Sequence, residues 1–139
     1  MKIEGECHCG AIAYEAEVDP ATVTICHCGD CQTLSGAPFR GSVPARGDNF
    51  HLTRGTPRLY VKTAESGNKR AQAFCADCGT SIYSSDAVEK PGFYMLRLGA
   101  LKQREELVPV KQIWQSSAMP WARDITGLES HAKGAPPKG

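Results

Sequence analysis

Seven cysteines in 139 residues, grouped as Cys7/Cys9, Cys26/Cys28/Cys31 and Cys75/Cys78, constrain this chain more than any other feature. The two pairs together make one complete set of four ligands, and the triplet makes an incomplete set of three. Structural zinc is closed by four protein ligands, whereas a catalytic site keeps one position open for water or substrate. The cysteines therefore divide into four plus three. Cys7, Cys9, Cys75 and Cys78 suit a structural ion, and Cys26, Cys28 and Cys31 suit a catalytic one, giving two Zn²⁺ per chain. A disulfide framework is the rival use of so many cysteines. Against it stand the odd number, the strained ring closure of Cys-x-Cys and the lack of an export signal.

Length and charge bound the rest. A chain of 139 residues is the size of one ordinary domain. Residues 1–130 are expected to form it, with a flexible Gly/Pro/Lys-rich tail over 131–139. With 16 basic against 15 acidic residues the net charge is +1, so no bulk electrostatic attraction to nucleic acid or an anionic membrane is expected. No apolar stretch approaches the roughly 20 residues of a membrane span, and the first residues lack the apolar core of a signal peptide. A cytoplasmic protein is expected, and the oligomeric state is not legible.

The chain reads as short strands separated by turns. Ile12, Tyr14, Ala16 and Val18 alternate with more polar neighbours at the period of a half-buried strand. A hairpin around Cys9 and Gly10 is expected, with Cys7 and Cys9 on one side of the extended chain and His8 turned away. Residues 22–25 are β-branched and lead into the triplet. Cys26 and Cys28 then share a side, Gly29 and Asp30 bend the chain back, and Cys31 joins them. His27 falls out of phase with the thiols and reads as a bystander. A helical turn over 32–34 is followed by Ser35, Gly36, Ala37 and Pro38, a loop beside the open position in which Ser35 and Gly36 are candidate substrate contacts.

Further strands are expected over 39–43, 50–53, 58–63, 69–74, 81–84 and 92–99, with no βαβ alternation and little helix. His51 reads as a surface residue. Cys75-Ala76-Asp77-Cys78-Gly79 has the spacing and the glycine of a zinc knuckle. A redox Cys-x-x-Cys would open a helix in a thioredoxin-like setting, and the residues that follow read as a strand. Residues 100–112 read as a connecting loop. Trp114 and Trp121, both near the C-terminus, are expected to close the core. Cys9 and Cys75 lie 66 residues apart (75 minus 9), so one ion would tie the first hairpin to the middle of the fold.

These groups resemble a known family when taken in order: Cys7-His8-Cys9-Gly10, Cys26-His27-Cys28-Gly29-Asp30-Cys31, Ser35-Gly36-Ala37-Pro38, Phe74-Cys75-Ala76-Asp77-Cys78-Gly79-Thr80 and Trp121. Together they resemble the glutathione-dependent formaldehyde-activating enzyme family, also called the GFA or centromere-protein-V family, over residues 3–128. The resemblance implies a mostly β, tent-like zinc fold. It implies a structural zinc on the two pairs and a catalytic zinc on the triplet. It also implies a carbon–sulfur lyase, the joining of formaldehyde to glutathione to give S-hydroxymethylglutathione. Gln32 stands where family members often carry a basic residue. Arg40, Arg46, Arg54, Lys62, Lys69 and Arg70 are other sources of positive charge.

The chemistry expected of the triplet is Lewis-acid activation of a thiol or an aldehyde at the open position. Two other classes fit the same cysteines: a zinc-stabilised binding module without catalysis, and a metal-handling protein in which the triplet stores an ion.

Overall fold

The computed structural model describes residues 1–137, so the expected tail is described as far as Pro137 and its last two residues lie outside the described range. The described residues form nine strands and one short α-helix: β1 (Lys2–Glu6), β2 (Ala13–Val18), β3 (Thr24–Cys26), α1 (Gly29–Ser35), β4 (Arg40–Arg54), β5 (Arg58–Thr63), β6 (Lys69–Phe74), β7 (Ser81–Asp86), β8 (Phe93–Arg97) and β9 (Lys111–Ile113). The main sheet runs β1-β2-β4-β8-β7-β6-β5, and β3 joins β4 to β9. Every pairing is antiparallel except β3 with β9. The mostly β, largely antiparallel architecture with little helix expected from the sequence is the one observed.

The alternation of β2 sets one face of the sheet. Tyr14, Ala16 and Val18 are buried, while Glu15 and Glu17 face solvent. Strands of period two must bury one face, and here that face closes over Ile3, Val43, Ala45, Phe50, Ile82, Leu96, Leu101 and Leu107. Its centre is aromatic: the Phe50 ring lies 5.6 Å from Tyr14, 5.4 Å from Tyr83 and 4.4 Å from Tyr94. Such tilted ring pairs add to burial energetics. Truncating a fully buried member such as Leu96 costs ~2–5 kcal/mol.

β4 does most to position the site. Its second half pairs with β2, its first residues with β3, and its middle with β8. The sequence reads it as two strands, over 39–43 and 50–53. Instead one 15-residue strand runs through both. Gly47 is there for a close approach: a Cβ at this position would sit 2.2 Å from the Pro91 carbonyl oxygen.

Two further expectations are corrected. Cys7 and Cys9 lie not in a strand but in the turn between β1 and β2, where Gly10 N–H donates to Cys7 C=O at 3.0 Å. Trp114 and Trp121 are 48% and 61% exposed and do not close the core. The core is already filled, largely from the strands, and beyond β9 the short 3₁₀ turns Gln115–Ser117 and Pro120–Arg123 bury no residue.

Candidate metal centres

The four-cysteine cluster is built from two turns. In the first, the Cys7 Sγ accepts from Ile12 N–H at 3.2 Å. In the second, Gly79 takes a left-handed φ of 79° and donates its N–H to Cys75 C=O at 2.8 Å, the tight turn its sequence requires. Thr80 ties the two together. Its hydroxyl accepts from His8 N–H at 3.0 Å and lies 3.2 Å from the Cys78 sulfur. Hydrogen bonding to that hydroxyl pulls the Cys78 thiol down to about 5.

The sulfurs of Cys7, Cys9, Cys75 and Cys78 all lie within 4.8 Å of one another. Cys7 and Cys9 are 3.7 Å apart, and Cys9 and Cys75 are 3.8 Å apart. A tetrahedral ion with sulfur ligands at about 2.3 Å spaces those sulfurs about 3.8 Å apart. A disulfide requires about 2.05 Å. The cluster therefore fits a four-coordinate ion, and all seven cysteines are free. Cys7 and Cys75 are fully buried and belong to the hydrophobic core, so the cluster is continuous with the sheet packing.

The triplet is built differently. Cys26 ends β3, Cys28 is the N-cap of α1, and Cys31 lies in its first turn. The Cys28 Sγ accepts from Cys31 N–H at 3.3 Å, a thiol doing the capping work usually given to an oxygen. The expected bend at Gly29 and Asp30 is thus the start of a seven-residue helix, longer than the turn read from the sequence. The three sulfurs also converge within 4.8 Å, and among the described residues no histidine, carboxylate or further cysteine joins them. All three cysteines are partly exposed. Burial, together with Cys26 and Cys28 beside it, pushes the Cys31 thiol up to about 12. Three thiols held this close cannot all ionise unless a cation shares the site.

His27 is not part of that cluster. Its ring is buried against Phe39, with centroids 5.5 Å apart, and its Nε2 lies 2.8 Å from Gln112 Oε1. Ser35 and Gly36 end α1: Gly36 is its left-handed C-cap, and the Ser35 hydroxyl accepts from Ala37 N–H at 3.2 Å. Gln32, at the position that departs from the resembled pattern, donates to His27 C=O at 2.8 Å and to Ser117 C=O at 3.0 Å. It fastens the helix to the C-terminal segment.

Two residues near the triplet went unread in the sequence, Gln72 and Arg97. Arg97 ends an apolar strand, an unusual place for a charge, and that is the one local sign of it. It donates to Ser42 Oγ at 2.8 Å and to Gln72 Oε1 at 2.9 Å. Burial, and Arg40 next to it, push Arg97 down to about 9, which leaves it cationic at neutral pH. Arg40 sits directly across from Cys26 in the β3–β4 register. Lys62 Nζ donates to Asp30 Oδ2 at 2.6 Å and shares a surface cavity with Cys28, Trp114 and Ser117.

A mostly β sheet carrying one cluster of four cysteines and one of three defines a class of β proteins with two candidate metal sites. Residues 2–117 match the family described as glutathione-dependent formaldehyde-activating enzyme, and the chain belongs to that family. A protein of Schizosaccharomyces pombe named as an uncharacterized lyase is 25% identical over 84 residues, covering 58% of this chain. The chain spans about half, 55%, of that relative's length. A crystal structure of a Rhodobacter sphaeroides protein superposes with a TM-score of 0.60 at 23% identity, covering 78% of this chain and 98% of that one. It shares the fold. Among the described residues no helix is long and apolar enough to cross a membrane.

Proposed function

We propose that this chain is a zinc-dependent carbon–sulfur lyase resembling S-(hydroxymethyl)glutathione synthase, joining a thiol such as glutathione to formaldehyde or another small aldehyde. The observation that carries the reading is the incomplete ligand set: Cys26, Cys28 and Cys31 converge in a partly exposed position without a fourth protein donor among the described residues. Family membership and the lyase name of the yeast relative support it. Zinc bound there supplies Lewis acidity at one open position, which favours the thiolate form of an incoming thiol or polarises an aldehyde oxygen.

The residues of the chain supply the rest. Cys26, Cys28 and Cys31 would hold the ion. Arg40 and Arg97 lie where they offset negative charge on three thiolates and on an entering fourth. In the addition, the substrate sulfur bonds to the carbonyl carbon, the C=O π pair moves to oxygen, and the thiol proton ends on that oxygen. Ser35 and Gly36, at the end of α1, stand in this proposal as substrate contacts, and the two pairs hold a structural zinc.

Exchange NMR on formaldehyde mixed with glutathione tests the reading. The zinc-loaded protein should speed the interconversion with S-hydroxymethylglutathione above its spontaneous rate, and Cys28→Ser should abolish the increment. No acceleration with glutathione or any other thiol and aldehyde pair would overturn the assignment.

A further inference from the structure

The main sheet ends on β1 at one side and on β5 at the other, and the two edges are finished differently. The β1 edge is covered: Gly5 bridges to Leu101, Lys102 N–H donates to Glu4 C=O at 2.8 Å, and Glu4 N–H donates to Gln103 Oε1 at 2.9 Å. β5 pairs with β6 in unbroken register, from Arg58 opposite Phe74 to Thr63 opposite Lys69. Among the described residues no backbone hydrogen bond reaches its outer side. An open edge is a template for another strand, and proteins commonly blunt it with a proline, a bulge or a covering segment. β5 has no proline and no bulge, and Leu59, Tyr60 and Val61 are each at least half exposed.

This strand is apolar in its middle and basic at its ends. Leu59 and Val61 lie opposite Ala73 and Ala71, which are both buried, so the apolar inner face of the sheet runs out onto β5. Residues 58–70 carry Arg58, Lys62, Lys69 and Arg70 against Glu65, a net +3 (4 minus 1), while the whole chain carries +1. Lys62 is held by Asp30 at 2.6 Å and Arg70 by Asp86 at 2.8 Å. Arg58 and Lys69 make no ion pair among the described residues. Arg58 starts β5 and Lys69 faces its last residue, so two free cations bracket the exposed centre. A second copy of the chain would bring the same positive charge to this edge, which opposes self-pairing.

We propose that β5 is a docking edge for an extended acidic peptide segment, which joins the sheet as an antiparallel strand with apolar side chains at its centre and carboxylates at its ends. Main-chain hydrogen bonds along Arg58–Thr63 supply affinity, and Arg58 and Lys69 select the charge of the partner. Its apolar side chains lie beside Leu59 and Val61 on one face and Tyr60 on the other, the cross-strand contacts that stabilise sheets. Docking of this kind needs no chemistry at the cysteine triplet.

The probe is a capped heptapeptide of alternating valine and threonine with a glutamate at each end. Two controls accompany it, one with lysine ends and one with glutamate ends and a central proline. Each is titrated into the isotope-labelled, zinc-loaded full chain at low ionic strength, and amide shifts and hydrogen exchange are read residue by residue. The glutamate-ended peptide should shift and protect amides of Arg58–Thr63. It should bind about tenfold tighter than the lysine-ended one, since each exposed charge pair changes affinity by about two- to fivefold. The proline peptide should not bind, because it loses a ladder donor. Arg58→Glu should bring the two charged peptides to nearly equal affinity, and Arg46→Glu, on β4, should leave the preference in place. Shifts confined to other elements, equal affinity for glutamate and lysine ends in the unaltered protein, or binding by the proline peptide overturns the docking edge, and none of these needs a variant to fold. So does the absence of binding by every peptide, or a preference lost with Arg46→Glu or kept with Arg58→Glu. Protection of Arg58–Thr63 that rises with protein concentration before any peptide is added would assign the edge to a second copy and overturn the acidic partner.

Discussion

The two cysteine clusters use the same chemistry for opposite ends. The quartet draws its ligands from turns 66 residues apart in sequence, and two of its sulfurs are fully buried in the core. The triplet draws its ligands from six consecutive positions, where β3 gives way to α1, and leaves all three partly exposed. A long-range cluster closes a loop, so an ion there stabilises the fold. A local cluster closes almost nothing, so an ion there contributes little to folding and is free to be shaped for ligand exchange. In the function proposed here, that difference, more than the number of sulfurs alone, separates a frame from a working centre.

The largest effect should come from opening the frame. Cys75→Ala leaves three quartet ligands and a hole in the core, and zinc binding of this kind contributes on the order of 10 kcal/mol to folding in small zinc peptides. That is comparable to the whole stability of a typical domain, about 5–15 kcal/mol. Thermal denaturation should show no cooperative transition near that of the unaltered protein. A transition left in place would make the two clusters equivalent and break the contrast.

Cys28→Ser should instead leave the melting transition nearly unmoved while removing one equivalent of metal. Activity should fall about 100-fold or more, since even the indirect supports of a metal site cost 10–100-fold when lost. Metal analysis beside calorimetry reads both. A large fall in melting temperature would mean that the triplet is also part of the frame.

Acid should act on the triplet through Cys31. Its thiol is held up, to about 12, by burial and by Cys26 and Cys28, so in the metal-free protein it is protonated at neutral pH. Metal binding must displace that proton. Affinity at the triplet should therefore fall as pH falls, by about tenfold per unit for each proton displaced. Chelator competition at several pH values measures it, and a flat profile would contradict the sign. The smallest effect is expected for Gln32→Ala, which cuts the two hydrogen bonds from α1 to His27 and Ser117. A loss of about 1 kcal/mol in chemical denaturation, with metal content unchanged, is the expected result.

What was legible in the sequence follows the same division between local and distant causes. β5 and β6 were read at their observed ends, because Pro57 and the turn at Ser66, Gly67 and Asn68 bound them locally. The cysteine groupings were legible because ligands around one ion demand close spacing. β4 was not, since Pro44 and Gly47 look like breaks until the β8 hairpin is seen to require Gly47. The exposure of Trp114 and Trp121 was not legible either, because aromatic residues ordinarily fill a core and only the packed sheet reveals that this one is full. Arg97 and Gln72 were invisible for another reason. Their meeting depends on the order β8-β7-β6, a long-range arrangement that no local pattern encodes.

The open position at Cys26, Cys28 and Cys31 is the central claim, and zinc X-ray absorption on protein holding two ions tests it most directly. Four sulfurs at one ion and three at the other average to about 3.5 per zinc, with the remainder from a lighter atom. Adding glutathione should raise that average toward about 4 as its thiol takes the open position. An average already at four before any thiol is added, or one that does not change when glutathione is present, would contradict the account.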